Sequence, residues 1–152
     1  MHLPASSLCD TTARRWSACG LTASTVVRGK KIERVAGLAL RREAAARVVG
    51  DLGAGDGRWI YRIARAHPTW FCVGVDATTD GIRETARRAE RKPTRGGAPN
   101  VWCIRAALEA LPAALDGLVD EVHVPLPWGS LLRAVVAPAP ETLRGNRLWR
   151  PG

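Results

Sequence analysis

Short apolar runs alternate with helix-spaced segments over most of this chain. Arg47-Val48-Val49-Gly50-Asp51-Leu52 is a compact apolar run and predicts a buried strand. A glycine-rich turn follows, then a helix from Arg58 to about His67, which Pro68 ends. Trp70 to Val75 predicts a second buried strand, and Thr79 to Arg91, with polar and small residues at helical spacing, a second helix. Lys92 to Pro99, punctuated by Pro and Gly, predicts a loop. Val101 to Ile104 predicts a third strand, and Leu108, Leu111 and Leu115 a short helical stretch. Val119 to Val124 predicts a fourth strand. Trp128 to Val136 and Glu141 to Leu148 predict helices separated by Pro138 and Pro140. Upstream, Val26 to Ile32 predicts a short hairpin or a strand turning at Gly29. Leu38 to Ala46, built from Ala, Leu, Arg and Glu, predicts a helix.

Strands alternating with helices predict an α/β fold with a parallel sheet covered on both faces. Right-handed crossovers bring the strand-to-helix loops together at the carboxyl edge, where a ligand is expected. Three features lie at such positions.

The first is Asp51-Leu52-Gly53-Ala54-Gly55-Asp56-Gly57, which ends a strand and opens a helix. Glycines let the chain turn sharply and bring its backbone close to a ligand, and the helix start offers free N–H groups. The spacing is Gly-x-Gly-x-Gly, not the Gly-x-Gly-x-x-Gly that cradles a pyrophosphate. Asp51 would repel a pyrophosphate but accepts hydrogen bonds from an ammonium group, which suits the amino-acid end of S-adenosylmethionine. The second feature is Asp76, about twenty residues beyond the glycines at the end of the second strand. A carboxylate there either accepts ribose hydroxyls or caps the next helix. The third is Ala106-Ala107-Leu108-Glu109, past the third strand, which either lines an adenine pocket or starts an ordinary helix.

A length of 152 residues suits one domain with a real core, and 46% hydrophobic with 24% charged residues is ordinary for a globular protein. The formal charge of +9 favours a polyanionic partner such as RNA or DNA, although a GC-rich genome also yields arginine-rich chains. Five of those cations fall in Arg87-Arg88-Ala89-Glu90-Arg91-Lys92-Pro93-Thr94-Arg95, the best RNA-contact candidate, with Arg88, Arg91, Lys92 and Arg95 foremost; otherwise it is a solvated helix face. Cys9, Cys19, Cys72 and Cys103 form no Cys-x-x-Cys pair, and His2, His67 and His123 are scattered, so neither a zinc site nor a disulfide framework is expected. Cys72 and Cys103 read as reduced core residues, which points to the cytoplasm. No apolar run reaches roughly 18 residues, so no membrane span is expected. Residues 1–25 read as a poorly ordered extension, or as translation from an upstream start. Arg14-Arg15 only faintly resembles an export signal, because the segment behind it is short and soon meets Arg28, Lys30 and Lys31.

Together these residues resemble a class I, Rossmann-like methyltransferase. Four segments, in order, narrow the likeness: Val27-Arg28-Gly29-Lys30-Lys31, Gly50-Asp51-Leu52-Gly53-Ala54-Gly55-Asp56-Gly57-Arg58, Lys92-Pro93-Thr94-Arg95-Gly96-Gly97 and Pro127-Trp128-Gly129-Ser130-Leu131-Leu132. They resemble the aminoglycoside-resistance methyltransferases that modify N1 of the decoding-site adenosine of 16S rRNA, over roughly Val26 to Gly152. The resemblance implies S-adenosyl-L-methionine as cofactor and the 30S subunit's 16S rRNA as partner, without a metal. It implies that Gly53, Gly55 and Gly57 form the cofactor turn with Asp51 near the methionine amine, and that Asp76 holds the ribose. Leu108 and Glu109 would lie along the adenine, Trp128 would stack on the flipped target base, and Pro127 would shape that pocket. The basic linker would grip phosphates.

The family fold needs seven strands and about four are legible here, so residues 26–152 are expected to be a C-terminally truncated methyltransferase domain, weakly stable and poorly active alone. A tRNA guanine-N7 methyltransferase shares the glycine turn and the Asp76 strand, but Pro127-Trp128-Gly129-Ser130-Leu131 lacks the acid and basic run expected around its Trp. A non-catalytic remnant that binds cofactor or RNA is the other alternative.

Overall fold

The computed structural model describes residues 24–125, 127 and 129–137. The chain forms β1 (Ser24–Arg28), β2 (Lys31–Val35), α1 (Leu38–Ala44), β3 (Arg47–Leu52), α2 (Arg58–Ala66), β4 (Trp70–Asp76), α3 (Ile82–Ala89), β5 (Val101–Arg105), β6 (Glu121–His123) and α4 (Gly129–Val136). The strands make one sheet in the order β2-β1-β5-β4-β3-β6. β5, β4, β3 and β6 run parallel, so the expected four-strand α/β core is present. The sheet has six strands because β1 and β2 form a hairpin and β1 then adds antiparallel to β5. Gly29, in the hairpin turn, has φ 55.

Alternating side chains feed two core layers. Val48, Leu52, Phe71, Val73, Val75 and Ile104 face one way, with Leu38 of α1 and Leu115, Leu118 and Val119 packed against them. Val49, Cys72 and Val101 face the other way, under Ile60 and Ala64 of α2, while Ile82 and Ala86 of α3 pack with Val27 and Cys103. Burial pushes both thiols up to about 12, so both cysteines are inert core groups.

Long-range polar ties fix the sheet. The Asp120 carboxylate accepts the Val48 N–H at 2.7 Å and an Arg42 guanidinium N–H at 2.6 Å, binding the start of β6 to β3 and α1. The Asn100 amide donates to the carbonyls of Ala64 and His67 at 2.9 and 3.1 Å, at the end of α2, and of Trp70 at 3.0 Å, at the start of β4, tying the two elements together.

Several elements are shorter than the sequence predicts, α1 among them, which ends at Ala44 and not Ala46. The helix expected from Thr79 begins at Ile82, the expected strand Val119 to Val124 keeps its ladder only over Glu121–His123, and the leucine-spaced stretch splits into 3-10 turns at Leu108–Ala110 and Ala113–Leu115. Pro112 caps the second turn, and lacking an N–H it cannot join the two into one helix. Trp128, the expected helix over Glu141 to Leu148, and most of the expected extension over residues 1–25 lie outside the described residues.

Candidate functional site

From β3 the chain steps outward through β4 to β5, then returns to place β6 on the other side of β3. Strand order therefore reverses between β3 and β6, and the crevice at such a switch point is where open α/β sheets bind ligands. The loops after β3, β4, β5 and β6 all leave the same carboxyl edge. They carry, respectively, the glycine turn, Asp76, Leu108 with Glu109, and Pro127.

Gly53, Gly55 and Gly57 have φ of 71, 56 and 68, a region that L side chains rarely adopt. The turn is pinned from below, because the N–H groups of Gly53 and Ala54 both donate to the Val75 carbonyl at 2.9 and 3.0 Å. It is pinned from the side where the Gly55 N–H donates to Asp76 Oδ2 at 2.8 Å. Asp76 Oδ1 accepts the Thr78 N–H at 2.8 Å and the Thr78 hydroxyl at 2.9 Å. Asp76 thus makes a local turn with Thr78 and does not cap α3, whose N-cap is Gly81. A carboxylate offers about four lone-pair sites, and these three donors leave it open to one more partner; a second hydroxyl would replace the Thr78 hydroxyl. The loop after β5 joins the same edge through the Ala106 N–H, which donates to the Asp76 carbonyl at 2.9 Å. Leu108 is half-buried there and Glu109 exposed.

Asp51 is buried, 1% exposed, and its Oδ1 has no hydrogen-bond partner. Burial raises its carboxyl from 3.8 to about 6; nearby His123 opposes the rise, while Asp76 and Asp56 add to it. A buried carboxylate oxygen without a donor is costly. Asp51 and His123 are opposite each other in the parallel register. The His123 ring lies 4.6 Å from that of Trp59 on α2 and its Nε2 contacts the Glu121 carboxylate.

Sequence reasoning missed that His123–Glu121–Trp59 group, because only the β3–β6 register brings it to Asp51. It also missed Gly81. A Cβ there would come within 2.6 Å of the Gly55 carbonyl oxygen, so α3 starts flush against the glycine turn only because residue 81 is glycine. No signal beyond the glycine itself marks it in the sequence.

The basic linker is elsewhere. α3 runs back from the carboxyl edge, so Arg88, Arg91, Lys92 and Arg95 gather toward the amino end of β5. All four are exposed. Arg88 contacts Glu84 at 3.8 Å, and among the described residues Arg91, Lys92 and Arg95 form no ion pair. The linker is stiff: an Arg65 guanidinium N–H donates to the carbonyls of Pro93 and Gly97 at 3.1 and 3.0 Å, the Tyr61 hydroxyl donates to the Gly96 carbonyl, and the Ala98 N–H donates to the Ala89 carbonyl at 2.9 Å. Among the described residues no cluster of three or more His, Cys, Asp or Glu could hold a metal, and no helix is long and apolar enough to cross a membrane.

A glycine turn and two acids at the switch point of this sheet define a Rossmann-like fold of the class I methyltransferase type. Residues 25–151 match the NpmA family, 16S rRNA (adenine(1408)-N(1))-methyltransferase, and the chain belongs to that family. It is 44% identical over 106 residues to the 16S rRNA (adenine(1408)-N(1))-methyltransferase of Streptoalloteichus tenebrarius, covering 69% of this chain and 48% of that protein. The enzyme of the same name from Escherichia coli is 38% identical over 92 residues, 60% of this chain and 42% of that protein. A crystal structure of a mutant of the Catenulisporales acidiphilia enzyme with cosubstrate SAM superposes with a TM-score of 0.82 at 46% identity, covering 86% of this chain and 65% of that one. The chain thus spans a little under half the length of these curated relatives.

Proposed function

We propose that this chain supplies the cofactor-binding part of an enzyme that methylates N1 of the decoding-site adenosine of 16S rRNA in the cytoplasm, with the 30S subunit as substrate and aminoglycoside resistance as the outcome. The observation that carries the reading is the buried, donor-less Oδ1 of Asp51 beneath a positive-φ glycine turn that is bonded to Asp76. An ammonium-bearing nucleoside fits that chemistry: Asp51 accepts the ammonium, Asp76 accepts a ribose hydroxyl, and the bare glycine backbone admits the chain between them. Leu108 and Glu109 flank the adenine.

S-adenosylmethionine, when bound, supplies an electrophilic methyl group on a sulfonium. Adenine N1 carries an in-plane lone pair, so the protein need not remove a proton and works by positioning and by excluding water. Unstacking the target base costs a few kcal/mol, and stacking on Trp128, next to the half-buried Pro127, returns about 1–3 kcal/mol. An indole face also favours the cationic product ring. Arg88, Arg91, Lys92 and Arg95 hold RNA phosphates at the other end of α3.

The test is methyl transfer to 30S subunits, with the modified base mapped by primer extension; a stop at any other nucleotide overturns the reading. Trp128→Ala should lower methylation roughly a hundredfold or more while S-adenosylhomocysteine binds nearly as before. Equal loss of both, by calorimetry and transfer assay, removes Trp128 from the base pocket.

Cofactor binding should also depend on pH in a direction that Asp51 sets. Its carboxyl titrates at about 6 in the free protein, and the ammonium of S-adenosylhomocysteine stays protonated throughout. Affinity should be level above pH 6 and fall by up to about tenfold per pH unit below it. A flat calorimetric profile from pH 5 to 7.5 would separate Asp51 from the ammonium.

A further inference from the structure

At the opposite edge of the sheet from the cofactor crevice, β1 pairs with β5 only through Val26↔Ile104 and Val27↔Cys103. Beyond Val27 the strands part, and a cavity of about 410 Å³ opens between them. Its charged lining is Arg28 from β1, Arg41 from α1, and Glu90 and Arg91 from the end of α3, three cations against one acid. Trp102 forms the wall, and the guanidinium carbons of Arg28 and Arg41 each lie 5.2 Å from its ring centroid.

Two guanidinium groups held against one indole, each 5.2 Å from its centroid, concentrate positive charge here that a nearby acid or a bound anion would balance. The acids near them do not fill that role. Glu33 reaches Arg28 only at 3.9 Å, and Glu90 is turned toward the hairpin, where a Cβ on Gly29 would meet its Oε2 at 2.9 Å. Among the described residues Arg41 and Arg91 form no ion pair. The indole orients the two forks without consuming their N–H donors.

We infer that this cleft is a second anion site, built to seat one RNA phosphodiester between Arg28 and Arg41, with Arg91 linking it to the basic run that continues through Lys92 to Arg95. RNA is favoured over a free phosphate because the cleft opens onto that run, so one backbone can follow both. The inference rests on the proposed rRNA substrate and extends its footprint from the α3–β5 linker to β1 and α1. Arginine forks match phosphate oxygens bidentately, so charge alone does not replace them.

The experiment uses the full chain, an R28Q/R41Q double variant and an R41K variant. Each is titrated with 30S subunits over a salt series and with S-adenosylhomocysteine. Losing one phosphate contact should weaken RNA binding roughly tenfold and make the slope of log K against log salt shallower by about 0.7–0.9. R41K should fall between wild type and the double variant, and cofactor binding should be unchanged in all three. An unchanged slope in the double variant overturns this inference alone. Parallel loss of cofactor binding makes the arginines structural and overturns it too. If wild type binds no 30S subunit, the rRNA reading falls and the second site falls with it.

Discussion

Gly97→Ala should destabilise the protein by about 4 kcal/mol or more, lowering its melting temperature on the order of 10 °C. A Cβ at residue 97 would lie 1.7 Å from the Arg91 carbonyl oxygen, 2.5 Å from the Arg91 carbonyl carbon and 2.9 Å from that of Lys92. All three are main-chain atoms, so no side chain can swing aside. The main chain itself is fixed on both sides, by the Gly97 N–H donating to the Lys92 carbonyl at 3.0 Å and by Arg65 on the Gly97 carbonyl. Gly96→Ala is the control. Its φ of 82 costs an L residue about 1–2 kcal/mol, but its Cβ would meet only the far end of Tyr61, at 3.2 Å. Thermal unfolding should therefore show a several-fold larger shift for the Gly97 variant. Equal shifts would mean that the linker main chain yields to the added Cβ. Because the crowded residues are the basic ones, a Gly97→Ala protein that does fold should bind 30S subunits poorly while keeping its cofactor affinity.

That contact also marks where sequence reading stops. Gly96-Gly97 reads as loop punctuation, and nothing in the string says that residue 97 presses on the carbonyl of residue 91. By contrast, Arg47–Leu52 is legible as a strand because a continuous apolar run is bounded by a turn, and the structure gives the same bounds. The hairpin is legible, but its docking on β5 is a long-range choice, which is why the sheet has six strands where the pattern predicts a core of four. Leu108, Leu111 and Leu115 have helical spacing, yet Pro112 breaks the chain into single turns and only Leu115 is buried. In the crevice, Asp51 and Asp76 stand out as acids at strand ends. His123 does not, since its significance depends on a β3–β6 register across about seventy residues of sequence.

Asp51→Asn should separate stability from binding in opposite directions. The wild-type carboxyl is neutral below pH 3.8 in both folded and unfolded chains. Between 3.8 and about 6 the unfolded chain loses this proton while the folded one keeps it. The folded state therefore binds more protons, and this group's contribution to stability falls as pH rises through that window, then stays level. Between pH 4.5 and 7.5 the loss amounts to about 2 kcal/mol. Asparagine does not titrate, so the stability of wild type relative to the variant should fall by that amount between the two pH values, whatever the amide itself costs. Urea unfolding at both values measures it, and a constant difference would refute the burial assigned to Asp51. Binding should move the other way. At pH 7.5 the variant lacks the negative charge facing the ammonium, and S-adenosylhomocysteine should bind roughly ten- to a hundredfold more weakly, the range of a hydrogen bond to a charged group. A carboxylate that weakens the empty fold at working pH and strengthens the occupied one is what a ligand-binding acid looks like; a purely structural acid would lose on both measurements when neutralised.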